Sequence, residues 1–205
     1  MKRPLAAKIV EAIEAGELRP GEWLRQIDLE EKFEVSRSDV RAALDELVVR
    51  KAIQHVRNRG YRVAIIDDTT LNEIRTVRAI LERGAAPLII RNATSADLEE
   101  LEKLADTFSE AVKLGSYLDR SRTNRDFHRK FFRVAGNAVL EESIWALRER
   151  SRAAPLTLWT SHEALVRSDA EHHAIIAALA ARDEALLAAL IENHVIRGRH
   201  GTDDR

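Results

Sequence analysis

Apolar residues recur at helical spacing through "LAAKIVEAIEAGEL", which predicts a helix closing at Gly16, with "RPGEW" as the turn behind it. "IDLEEKFEV" reads as a short helix. "SRSDVRAALDELVVRKA" reads as a longer one, capped by Ser36 and burying Val40, Leu44 and Leu47 on one side. The period then changes: "AIQHVRNRGYRVAII" alternates on either side of "RNRG", as a hairpin does. Three helices and a hairpin describe a winged helix-turn-helix over residues 1–66. "IDDTT" is a linker, because Asp and Thr open helices better than they extend them. Beyond it the spacing is helical throughout, with segments at 70–92, 95–114, 117–135, 138–152, 162–181 and 183–199. Thr94 or Ser95 caps the second, with acidic residues in its first turn. The expected fold is mainly α: an N-terminal winged helix-turn-helix and a C-terminal all-α six-helix bundle over residues 70–200.

Composition narrows the chemistry. Apolar residues make up 45% of the 205, enough for a proper core, and no cysteine is present. A disulfide framework, a zinc ribbon and a thiol nucleophile are excluded, so any metal must be held by His, carboxylate or amide groups. No stretch of about 18 apolar residues occurs and the N-terminus lacks an apolar h-region, so a cytoplasmic protein with no membrane partner is expected. Residues 1–64 carry 13 basic against 11 acidic residues, so nucleic acid is bound only if arginines are focused on one face.

The helix opening at Ser36 offers such a face. Ser36, Arg37 and Ser38, with Arg41 one turn on, place two guanidiniums and two hydroxyls at one end, away from the apolar side. Arginine donates two hydrogen bonds to guanine, while hydroxyls and N-terminal amides suit phosphate oxygens. A surface helix with a solvated basic end has the same pattern. The order of residues around it resembles the winged-helix domain of the GntR family of bacterial transcription regulators. Pro20, Gly21 and Leu24 match, then Val35, Ser36, Arg37, Ser38, Val40, Arg41, Ala43 and Leu44, then Asn58, Gly60 and Val63 in the wing. The resemblance implies that Arg37 and Arg41 grip the major groove of double-stranded operator DNA, that Ser36 and Ser38 hold phosphates, and that Arg59 and Gly60 approach the minor groove. Ile27, Asp39 and Ala42 depart from the family pattern at positions where arginine, proline and glutamate are usual. Arg25 is the substitute for the arginine missing at Ile27.

Three of the seven histidines lie on apolar faces. His128 shares one with Asn124, Phe131, Phe132 and Ala135, His172 with Ile175, Ile176 and Leu179, and His194 with Leu187, Leu190 and Ile191. His173 is rotated by about 100° from His172, and His55, His162 and His200 lie near loops and termini. A lone inward histidine is ordinarily a core residue bonded to backbone; three can share one metal ion, and spacing leaves both readings open.

Residues 73–199 look like the FCD domain of the FadR subfamily, through "VRAILE", "DFHRKFFRVAGN" and "EHHAIIAALAARDEALLAALIENHV"; six helices point to its VanR-like group. The resemblance implies a divalent metal, zinc or nickel, on His128, His172 and His194. Asn124 stands where the family's aspartate ligand is expected. An amide brings no charge, so a 2+ ion keeps its full charge and favours a small carboxylate effector. Arg78 aligns with the family arginine facing the effector cavity; pairing with Glu82 at i+4 is its alternative. The expected function is a homodimeric, ligand-responsive repressor. A metal-binding helical-bundle enzyme is the alternative, but Glu-x-x-His pairs for a di-iron centre, H-E-x-x-H and Gly-rich phosphate loops are missing, and no carboxylate accompanies the triad on its faces.

Overall fold

The computed structural model describes residues 4–152 and 161–197 in two compact units, the first running to Leu71 and also taking in residues 148–152, the second beginning at Asn72. The first unit contains α1 (Leu5–Glu14), β1 (Trp23–Leu24), α2 (Gln26–Phe33), α3 (Arg37–Val49), β2 (Ile53–Val56) and β3 (Gly60–Val63). The one-sided apolar patterns of its helices meet in a core of Ile9, Leu29, Val40, Leu44, Leu47 and Val63. α2 ends at Glu34, whose φ of 53° turns the chain, and α3 starts at Ser36, whose side chain accepts from the Asp39 N–H. The expected hairpin is present, with Asn58 at φ 61° and Gly60 at φ 95° in its turn. Asparagine and glycine are the residues that tolerate this region.

One element departs from expectation. The sequence makes "RPGEW" a turn, but Trp23–Leu24 forms a strand paired with Arg62 and Tyr61, giving a three-stranded antiparallel sheet of order β1-β3-β2. Two residues are too few to show alternation, so only the partner strand reveals it.

The second unit carries α4 (Asp68–Gly84) from Asn72 onward, α5 (Ala86–Asn92), α6 (Ser95–Leu114), α7 (Tyr117–Arg133), α8 (Ala138–Arg152) as far as Leu147, α9 (His162–Ala180) and α10 (Glu184–Arg197). The segment expected as one helix over 70–92 is two, joined by Ala85. Pro87 causes the break, because it has no N–H to give to residue 83 and its ring crowds that carbonyl. Among the described residues, counted as a kinked helix this leaves the six expected segments; counted as two it makes seven. The first also begins earlier than expected, at Asp68, because the Asp67 carboxylate accepts the Thr70 N–H at 2.7 Å. Residues 198–200, the end of the expected last helix together with His200, lie outside the described residues.

α6 packs on α7 and α9, and α9 on α10. The shared core includes Ile89, Leu101, Ala105, Phe127, Phe131, Ile175, Leu179 and Leu187. Capping boxes open α6 at Thr94 with Asp97 and α7 at Ser116 with Asp119. Arg182, at φ 54° between α9 and α10, donates to the carbonyls of Ile90 and Ala93 at 2.6 and 3.1 Å. It satisfies the free carbonyls at the end of α5 and fixes the α9–α10 turn to it.

Candidate metal and DNA-contact sites

α3 presents Arg37, Ser38 and Arg41 to solvent, opposite the buried Val40, Leu44 and Leu47. Arg37 rests lightly on α2, with Nε 3.4 Å from Gln26 Oε1 and 3.9 Å from Glu30 Oε1. The Ser36 hydroxyl donates to Asp39 Oδ2 at 2.7 Å while capping the helix and lies 2.8 Å from the exposed Ser38 hydroxyl, so a phosphate must compete with these local bonds. Arg25 is held in a two-pronged pair with Asp28, both contacts at 2.7 Å. The hydrogen bond from Arg25 holds the Asp28 carboxyl below its usual range. A phosphate must therefore compete with Asp28 for this guanidinium. Arg59 at the wing tip is exposed, and nothing lies within 4 Å of where a Cβ on Gly60 would stand. The wing is tied to α3 through Tyr61, whose hydroxyl donates to Asp45 Oδ1 at 2.7 Å, which pushes the phenol up.

In the helical unit, α7, α9 and α10 bring His128, His172 and His194 together. His128 Nε2 lies 3.2 Å from His172 Nε2 and 3.1 Å from His194 Nε2. A tetrahedral ion with metal–nitrogen bonds of about 2.0–2.1 Å separates its ligand atoms by about 3.3 Å, so these spacings suit one shared ion. His128 and His172 are buried and His194 nearly so. Phe127 stacks on the His172 ring at 4.1 Å, Phe108 leans on it at 4.9 Å, and Phe132 lies parallel to His128 at 6.3 Å. These rings make the walls apolar and hold the imidazoles in place.

Asn124, one turn before His128, is buried, and its Oδ1 has no hydrogen-bond partner among the described residues. A buried carbonyl oxygen in that state is costly. Three imidazole nitrogens are a donor set that fits a divalent cation of the zinc or nickel type, and the Asn124 oxygen stands one turn before His128 on the same helix. Arg78 Nε donates to Glu82 Oε1 at 2.8 Å, and Glu82 is fully buried, so this is an interior ion pair rather than a surface one. His173 is half-exposed and sits 3.2 Å from the Ser109 hydroxyl, His162 is exposed, and His55 leans on Tyr61 in the wing at 4.8 Å.

A carboxylate does accompany the triad, contrary to the expectation from the helix faces. Glu171 Oε2 accepts from His194 Nδ1 at 2.7 Å, which leaves the His194 Nε2 lone pair facing the other two histidines. Its only signal in the sequence is its place directly before His172. A neighbouring residue on a helix points about 100° away, and the contact is made across to α10.

The comparisons with known proteins agree with this division. Residues 2–63 match the bacterial regulatory proteins of the gntR family, and residues 73–197 match the FCD domain. The chain is 30% identical to the HTH-type transcriptional regulator McbR of Escherichia coli (strain K12), over 82% of this chain and 77% of that one. It is 27% identical to the Nta operon transcriptional regulator of Aminobacter aminovorans, over 86% and 82% of the two chains. The solved structure of E. coli McbR/YncC superposes with a TM-score of 0.84 at 25% identity, covering 96% of this chain and 95% of that one. No helix among the described residues is long and apolar enough to cross a membrane. These matches support a DNA-binding regulator and give no support to the helical-bundle enzyme. The chain belongs to the GntR family of bacterial transcriptional regulators and carries that family's FCD domain.

Proposed function

We propose that the protein is a homodimeric repressor whose hold on operator DNA is released by a small carboxylate effector bound beside a metal on His128, His172 and His194. The convergence of three Nε2 atoms from three helices, within 4.8 Å of one another, carries this reading. A bound divalent cation supplies a Lewis-acid centre for a carboxylate oxygen. Asn124 contributes an oxygen without charge, so the positive charge of the site is left for an anionic ligand. Arg37 and Arg41 contact base edges, with Ser38 and Arg59 on the backbone. Two-fold symmetry matches two recognition helices to a palindromic operator. An open groove of ≈ 820 Å³ between α4 and α10, with Ile80 and Ile196 exposed beside the Arg83–Glu192 ion pair, is the face proposed to receive the second copy. The effector changes operator affinity through a coupling of typically about 1–3 kcal/mol.

Two measurements test the reading. Gel shifts on the upstream intergenic DNA, followed over salt, are expected to show binding that weakens steeply as salt rises; absent or salt-insensitive binding removes the regulator mechanism. Elemental analysis is expected to find one metal per chain, lost in His172→Ala. Metal-free protein in both preparations removes the metal and the effector site built on it.

A further inference from the structure

The charge that Asn124 fails to supply has a source elsewhere in the site. We propose that Glu171 is the positioning carboxylate of the histidine triad: acting through His194, it orients one ligand and contributes the negative charge. The inference rests on the metal reading above and adds to it a residue outside the three histidines and Asn124.

Glu171 and His172 are consecutive on α9, so about 100° of helix rotation separates them. His172 turns into the core, and Glu171 turns towards α10, where it meets His194. Both partners are largely withdrawn from solvent, with side-chain exposures of 17% and 11%, and the oxygen–nitrogen distance of 2.7 Å is that of a charge-assisted bond. The second carboxylate oxygen, Oε1, is buried and has no hydrogen-bond partner among the described residues. Through Oε2, then, the carboxylate acts on the His194 ring. Three consequences follow from elementary chemistry. The proton of His194 is fixed on Nδ1, leaving Nε2 to donate its lone pair. The ring cannot turn without breaking the bond. The imidazole becomes a stronger donor because negative charge stands behind it. An aspartate at position 124 would have placed the charge on the metal itself; Glu171 places it one imidazole away, leaving the metal's open face more positive towards an incoming anion.

The test uses the full-length protein stripped of metal, with zinc alone as the probe and a chromophoric chelator as competitor. Wild type is expected to bind one zinc per chain. Glu171→Gln keeps an oxygen for the Nδ1–H and nearly the same shape, and is expected to bind one zinc with an affinity reduced about 10- to 100-fold. Glu171→Asp, which keeps the charge on a shorter arm, should fall between the two. His194→Ala also weakens zinc, and in that background Glu171→Gln should add less than a twofold effect, because the carboxylate acts through the missing ring. A merely structural role predicts the opposite, namely equal losses with and without His194. Wild-type affinity in Glu171→Gln, or an undiminished effect in the His194→Ala background, overturns the proposal while leaving the metal site standing. Wild type that takes up no zinc overturns both.

Discussion

Asp97→Asn removes a charge that joins the start of α6 to α7, the helix carrying His128. Asp97 Oδ2 accepts the Thr94 N–H at 3.0 Å and its hydroxyl at 2.6 Å, while Oδ1 receives Lys130 Nζ at 2.8 Å. The Lys130 hydrogen bond, then those from Thr94, draw the Asp97 carboxyl from its ordinary 3.8 down to about 2. At full strength that displacement is worth about 2.5 kcal/mol, and solvent at the rim of the pair reduces it to about 1 kcal/mol. The bonds from Thr94 are part of that displacement, asparagine keeps an acceptor oxygen, and Lys130 keeps Glu100 at 2.5 Å, so the total stays at about 1 kcal/mol. For a chain of this size that lowers the melting temperature by about 2–4 °C at pH 7. The sign with pH is fixed by the depressed value. Stabilisation is fully present above about pH 4 and disappears as pH falls towards 2, because the unfolded carboxyl takes up its proton first. The measurement is thermal unfolding by circular dichroism of both proteins from pH 7 to pH 2. The gap between them should close below pH 4; a gap that stays constant to pH 2, or no gap at pH 7, refutes the assignment.

Arg41 is exposed on α3, so Arg41→Ala should weaken operator binding by about 1–3 kcal/mol in gel shifts and leave the melting temperature unchanged. Gly136 has φ 65°, and a Cβ there would stand 2.9 Å from Asn92 Nδ2, the donor to Ala135 O. Gly136→Ala should therefore cost about 1–3 kcal/mol in denaturant titration, while the same change at Gly84, with open space around its Cβ, should not destabilise. Phe127 is fully buried and stacked on His172, so Phe127→Ala should cost about 3–5 kcal/mol and weaken zinc binding in the same preparation. Zinc at 100 times its dissociation constant should stabilise wild type by about 2.7 kcal/mol and His172→Ala by much less; equal stabilisation of the two would place the ion elsewhere.

What could be read from the sequence divides along physical lines. Helices were legible where an apolar stripe and a cap coincide: Thr94 and Ser116 both form capping boxes, and the α6 and α9 starts fall within a residue of expectation. The faces of His128, His172 and His194 were legible for the same reason, since an inward position needs only the helical period. Elements that exist through a partner were not. Trp23–Leu24 is a strand because β3 lies beside it, and Glu171 matters because His194 meets it across helices. Arg78 had two readings, and the pairing with Glu82 at i+4 is present, in the interior and not on the surface as the spacing suggested. The bond from Ser36 to Asp39, three residues on and itself a departure from the family pattern, was not legible, because it is made by side-chain rotamers and not by spacing.

Convergence of the triad was more nearly encoded than its faces alone indicate. α9 ends at Ala180 and α10 begins at Glu184, and helices joined by so short a turn and packed on each other run antiparallel. His172 lies eight residues before the end of α9, about 12 Å of rise, and His194 lies ten residues after the start of α10, about 15 Å. The two imidazoles therefore come level across the pair, provided that the turn holds its register. Arg182 holds it, with its backbone N–H on Leu179 O at 3.0 Å and its guanidinium on the end of α5. A residue inserted at this turn would rotate α10 by about 100° against α9, taking His194 away from both His128 and Glu171 at once. The metal site and its supporting carboxylate thus depend on one turn whose lock, Arg182, lies far along both helices from the histidines it aligns.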